Sequence, residues 1–246
     1  EIFSKTGKAR TVGFTGSGGA GKSSLIGRLI PECQALGYKV AVLAVDPTSS
    51  ITGGAILGDR VRMQGNLDDK KVFMRSMASR GAVGGVSKSL RNAIRILDAA
   101  GYDLVLVESI GAGQVEVEIS RVVNITVVLF TPHTGDNVQA VKAGLTEIGD
   151  MYVVNKSDIE GSTALYNTIV DLIGNTERKP AVLKPPNNSS GMPPGQKEPP
   201  FESFCWAFWL CLCTRSLLTE MALSKVQGIT WLLSTTPLLG YMPTTP

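Results

Sequence analysis

This chain of 246 residues is poor in the side chains that build metal clusters and cross-links. It has one histidine, His133, and four cysteines, Cys33, Cys205, Cys211 and Cys213, with no C-x-x-C pair among them. Neither a zinc site nor a disulfide framework is therefore implied, and a reducing cytosol is the plain expectation. Basic residues, 24, barely outnumber acidic ones, 21, and no basic tract occurs, so nucleic acid is not an expected partner. The uncharged run at 203–214 holds twelve residues, short of the roughly 20 that a membrane span needs. No signal-peptide pattern precedes residue 16, and the opening Glu1 is compatible with a numbering that starts inside a longer protein.

What is present divides sharply near Lys184. Nine of the 13 prolines and all three tryptophans lie in 185–246, which carries only six charged residues. We read 1–184 as one α/β domain, 185–200 as a Pro-rich linker, and 201–246 as a hydrophobic tail of unknown structure, since neither apolar part of it has a clean amphipathic period. Within 1–184, apolar runs at 11–15, 39–45, 102–108, 125–130 and 151–154 predict strands, and 23–36, 86–100 and 136–148 predict helices. Runs rich in Val, Ile and Leu without polar alternation are what a mostly parallel sheet, covered by helices on both faces, requires.

The strand at 11–15 runs into Gly16-Ser17-Gly18-Gly19-Ala20-Gly21-Lys22-Ser23-Ser24, which has the G-x-x-x-x-G-K-[ST] spacing between a strand and a helix. Its glycines let backbone N–H groups wrap phosphates, and the helix N-terminus adds positive partial charge. Lys22 is expected to reach the β- and γ-phosphates, and the Ser23 hydroxyl to face Mg²⁺. The fold expected is thus that of a P-loop NTPase.

Past the strand at 151–154 comes Asn155-Lys156-Ser157-Asp158. The Asp158 carboxylate can accept from guanine N1–H and the 2-amino group, while Asn155 can meet the O6/N7 edge. Adenine would strand those groups, and a site built this way discriminates by factors on the order of 10⁴. Taken alone, the tetrapeptide is short and could be an Asp N-cap on the helix beyond it; behind a phosphate loop, GTP and GDP are the expected ligands. Acidic residues at strand ends, Asp46 and Glu108, and also Asp59, are candidate metal-side carboxylates beside Ser23, because Mg²⁺ wants hard oxygen donors. Helix capping by Asp46 and a solvated turn at Asp59 are the bland alternatives. Gly111, in Glu108-x-x-Gly111, would let the backbone approach the γ-phosphate.

Residues 10–184 resemble the GTPase chaperones of adenosylcobalamin-dependent acyl-CoA mutases, the methylmalonyl-CoA mutase-associated group. The likeness rests on the strings AVDPTSS at 44–50, GGAILGDRVRM at 53–63, SRGAVGG at 79–85, VESIGAGQ at 107–114 and GDNVQAVKAG at 135–144, together with NKSD at 155–158. It implies a magnesium shell of Ser23, Asp46, Asp59 and Glu108, and a switch segment at 135–144 whose Gln139 and Lys142 serve partner-stimulated hydrolysis. It also implies a mutase partner, a homodimer, and a cytoplasmic site, or the mitochondrial matrix in a eukaryote. After Ala181-Val182-Leu183-Lys184 the likeness stops at Pro185-Pro186. A nucleotide-binding adaptor with negligible turnover is the alternative from another class. A nickel-insertion GTPase is disfavoured by the single histidine and the unpaired cysteines.

Overall fold

The computed structural model describes residues 3–46, 72–78, 85–109, 114–132, 146–174 and 180–183. After a 3-10 turn at Phe3–Lys5, the chain alternates strand and helix: β1 (Arg10–Gly16), α1 (Lys22–Ala35), β2 (Val40–Asp46), β3 (Val72–Ala78), α2 (Gly85–Ala99), β4 (Leu104–Ser109), α3 (Gln114–Ser120) and β5 (Ile125–Phe130). A single helical turn at Thr146–Ile148 precedes β6 (Met151–Val154), α4 (Ser162–Gly174) and β7 (Ala181–Leu183). The seven strands form one sheet in the order β3-β2-β4-β1-β5-β6-β7, and every pair is parallel.

Every residue of β4, β5 and β6 is buried, which is why these strands read as unbroken apolar runs. On one face, Ala41, Leu43, Val45, Val105 and Val107 pack with Val86, Leu90 and Leu97 of α2 and Ile119 of α3. Gly13, level with Val107 and Thr126, leaves room for Ile119, whose Cγ2 would lie 2.8 Å from a Cβ there. Val128, Phe130, Tyr152 and Val154 pack with Ile169 and Ile173 of α4. The alternate residues Val12, Phe14, Val42, Leu104 and Leu106 are buried as well, and α1 packs on the strands β1, β2 and β4 that carry them. Helices thus cover both faces.

Polar side chains stitch the amino ends of the strands. Asn124 Oδ1 accepts from Thr11 N–H at 2.9 Å and from the Thr11 hydroxyl at 2.8 Å, and that hydroxyl accepts the Asn124 N–H. Asp150 accepts from Thr126 N–H at 2.8 Å, and Asp103 from Lys39 N–H at 2.8 Å. Asp98, at the end of α2, takes the N–H groups of Gly7, Lys8 and Ala9 and so fixes the entry to β1.

The expected strands at 125–130 and 151–154 match in full, and the others fall within a few residues. Residues 102 and 103 precede β4 and do not join it. The expected helix at 136–148 lies outside the described residues except for its last turn, Thr146–Ile148. The edge strand β3 and the helix α3 were not read from the sequence, and α4 (Ser162–Gly174) was read only as a helix of unstated bounds beyond Asp158. All described residues of β3 are only half-buried or exposed, so Val72–Ala78, with Arg75 and Ser76 inside it, shows no core-strand pattern.

Candidate nucleotide site

The phosphate-loop sequence begins where β1 ends, at the centre of the sheet. β1 lies between β4 and β5 although the chain leaves it for β2; such a reversal opens a crevice beyond the carboxyl ends of the strands. Gly16 has φ +133, and a Cβ there would collide with the Leu129 carbonyl, so glycine is required. Ala20 N–H closes the turn on Ser17 O at 3.2 Å. Gly21, with φ 89 and no side-chain cap, starts α1. The first amides of a helix have no intrahelical acceptor, so Lys22, Ser23 and Ser24 can offer N–H groups to an anion. At Gly18 and Gly19 a Cβ would meet nothing within 4 Å, so this side of the loop is open space.

Lys22 is 5% exposed, and its ammonium lies against Gly16 O at 2.7 Å and Ser17 O at 2.9 Å. The loop thus holds its lysine folded back on its own carbonyls. Ser23 Oγ donates to Glu108 Oε1 at 2.5 Å, bringing together two of the four expected metal-side residues. Glu108 is 4% exposed and lies opposite Phe14 on β1 and Ala44 on β2. A hydroxyl and a buried carboxylate are hard oxygen donors that suit Mg²⁺, which keeps waters and phosphate oxygens for its remaining positions. Asp46 closes β2, beyond Val45, which pairs with Ser109; its side chain lies outside the described set. Asp59, Gly111, Gln139 and Lys142 also lie outside the described residues.

The NKSD segment reaches the same place from β6. Asn155 N–H donates to Phe130 O at 2.8 Å, and its side-chain Nδ2 donates to Ala20 O at 2.8 Å. A Cβ at Gly21 would collide with that same nitrogen, so the last loop glycine makes room for Asn155. A carboxamide has two N–H groups and an acceptor oxygen, so one bond to Ala20 leaves capacity for a base edge. Lys156 takes a left-handed conformation, φ 55, which turns the chain into the exposed Asp158. Beyond it Ser162 Oγ caps back onto Ser157 O at 2.9 Å, at the start of α4.

Two features escaped the sequence reading. Glu116 of α3 is 4% exposed and accepts the Gly16 N–H at 3.2 Å. Burial pushes its carboxyl above the usual carboxylate range, while that hydrogen bond and the Lys22 ammonium pull it back. The only sequence signal was the alternation of Glu116 and Glu118 with apolar residues over Val115–Ile119. The second feature is a set of buried hydroxyls, Thr15, Ser17 and Ser109, with no hydrogen-bond partner among the described residues. Ser17 belongs to the expected loop; Thr15 closes the expected strand at 11–15, and Ser109 directly follows the one at 102–108.

Fold and site together define a P-loop nucleotide-binding protein of the α/β class with a seven-strand parallel sheet. The profile of the methylmalonyl-CoA mutase-associated GTPase MeaB family matches residues 1–185, and the chain belongs to that family. It is 52% identical over 166 residues to a Pyrococcus horikoshii protein that carries a provisional GTPase name, covering 68% of this chain and 52% of that one. It is 41% identical over 162 residues to the GTPase ArgK of Escherichia coli, covering 66% of this chain and 49% of ArgK. It is 43% identical over 148 residues to the methylmalonic aciduria type A homolog, mitochondrial, of Caenorhabditis elegans, covering 60% and 37% of the two chains. The chain spans about half the length of the first two of these relatives. Among solved structures, a LAO/AO transport system kinase superposes with TM-score 0.62 at 24% identity, over 95% of this chain and 69% of that one. This last likeness shows the fold alone. Among the described residues, no helix is long and apolar enough to cross a membrane.

Proposed function

We propose that this chain binds GTP, hydrolyses it with Mg²⁺, and uses its nucleotide state to gate the cofactor loading or protection of an adenosylcobalamin-dependent acyl-CoA mutase. The observation that carries the nucleotide part is the Asn155 carboxamide on the Ala20 carbonyl, which joins the base-reading segment to the phosphate loop. Lys22 would leave the Gly16 and Ser17 carbonyls for the β- and γ-phosphates, an exchange of one set of oxygens for a more highly charged one. Ser23 and Glu108, with Asp46 and Asp59, would hold the magnesium ion. When bound, that ion supplies positive charge against the phosphate oxygens. The partner rests on the family's name and on the resemblance over 135–144, where Gln139 and Lys142 would act once the partner is engaged. Cytoplasm, or the mitochondrial matrix in a eukaryote, is the matching compartment.

Calorimetric titration with GDP and ADP tests the base reading: the proposal expects GDP to bind far more tightly, and equal affinities would refute it. Steady-state GTP hydrolysis with and without methylmalonyl-CoA mutase tests the rest. Stimulation by the mutase that disappears in Lys142→Ala, with GDP affinity kept, is the expected result. Tight GDP binding with no turnover under either condition would instead identify a nucleotide-binding adaptor.

A further inference from the structure

We infer that Glu116 is a positioning residue for the phosphate loop, holding the Gly16 amide from the helix that follows the magnesium-side segment. Gly16 is the residue at which strand becomes loop. Its carbonyl takes the Lys22 ammonium at 2.7 Å, and its N–H donates to Glu116 Oε1 at 3.2 Å. The two peptide groups that meet at this residue are therefore each held by a charged side chain. The β1–β4 ladder ends two residues earlier, at Phe14 opposite Glu108, and the Glu116 carboxylate is the acceptor that the Gly16 N–H finds beyond it. With an apolar residue at 116 the buried amide would lose that acceptor, and buried backbone N–H groups are almost never left unpaired.

A carboxylate in so dry a setting is costly unless it is hydrogen-bonded and close to an opposite charge. Glu116 has both, in the Gly16 amide and the Lys22 ammonium. The helix that carries it is itself fixed on its other side. Glu118 Oε2 accepts from Ser87 N–H at 3.1 Å and from the Ser87 hydroxyl at 3.0 Å, at the start of α2. α3 thus assigns one glutamate to the loop and another to the neighbouring helix. Glu116, which holds the hinge of the phosphate loop, follows Glu108, the carboxylate beside Ser23, by eight positions in the chain. Any shift of α3 reaches Gly16 through one charge-assisted hydrogen bond.

The nucleotide arm of the test rests on the GTPase reading; the amide arm does not. Hydrogen exchange at the Gly16 amide is measured by NMR on the nucleotide-free full chain, for the parent, Glu116→Gln, Glu116→Asp and Glu118→Ala. Glutamine keeps an acceptor at the same reach, whereas aspartate keeps the charge and is one methylene short. Loss of a hydrogen bond to a charged group predicts Gly16 exchange at least about tenfold faster in Glu116→Asp. Glu116→Gln should stay within about threefold of the parent, and Glu118→Ala, with its loop contact intact, should not change Gly16 at all. GDP affinity should follow the same order, falling by about tenfold in Glu116→Asp and by less in Glu116→Gln. Unchanged Gly16 protection in Glu116→Asp overturns the proposal, as does lost protection with GDP affinity intact. If the parent bound no GDP, the GTPase reading would fall and the exchange order alone would decide the role of Glu116.

Discussion

The two edges of the sheet treat polar groups in opposite ways. At the amino edge, Asn124, Asp150 and Asp103 each accept an N–H across a strand boundary, and Asp98 gathers three more. At the carboxyl edge, the hydroxyls of Thr15, Ser17 and Ser109 are buried without a partner among the described residues, and glycines hold left-handed or crowded conformations. Each unsatisfied buried group costs about 1–3 kcal/mol. One edge is therefore built to be stable alone, and the other is left with capacity that a ligand can use. The orphaned amide nitrogen of Gln34, near the far end of α1, is an exception to this division.

The comparison can be broken most decisively at Lys22. Lys22→Ala should reduce GTP turnover by at least roughly 10²-fold, because it removes the cation that the proposed reading brings to the phosphates. A variant that melted early yet still turned over GTP would reverse the assignment of the two edges. Asp158→Asn should come next, weakening GDP binding by about 2–4 kcal/mol in a calorimetric titration by stranding base donors. Retained GDP selectivity would leave the base edge to other residues.

The amino edge should behave the other way round. Asn124→Ala removes the acceptor of two Thr11 donors, so chemical denaturation should show a loss of about 1–3 kcal/mol. GDP affinity of the folded fraction should be unchanged. The smallest effect expected is a pH dependence at Glu116, whose folded carboxyl is raised above its ordinary 4.5 by burial. Such a group adds stability that is complete below 4.5 and is lost as pH rises through the raised folded value. Glu116→Gln has no such loss, so its melting temperature should gain on the parent's as pH rises from 4.5 through that value. A constant difference between the two melting curves would mean that the carboxyl is not raised.

The legible parts of the fold were those set by local pattern. β5 and β6 are continuous apolar runs buried throughout, and their bounds were plain. The phosphate loop was legible because its glycines answer to backbone geometry at Gly16 and Gly21. β3 was not, because an edge strand can carry Arg75 and Ser76 with no core to exclude them. Glu116 was hidden for a different reason: its partner is a backbone amide 100 residues away, and no side-chain pattern encodes a backbone donor. Ser23 and Glu108 were expected side by side at the carboxyl edge, and the strand register that puts them in direct contact is what the sequence did not show.

The bond between Asn155 and Ala20 spans 135 residues of chain, and this has a consequence for how the protein is made. During synthesis the phosphate loop leaves the ribosome early, yet its partner Asn155 is in place only after β6 has been translated and docked on β5. Contacts of such long sequence separation form late and slowly, since loop closure must precede them. On the proposed reading, a guanine nucleotide would gain little from the nascent amino-terminal half and would grip only the chain that has reached β6. By mass action, nucleotide binding would then favour the completed domain over every shorter intermediate.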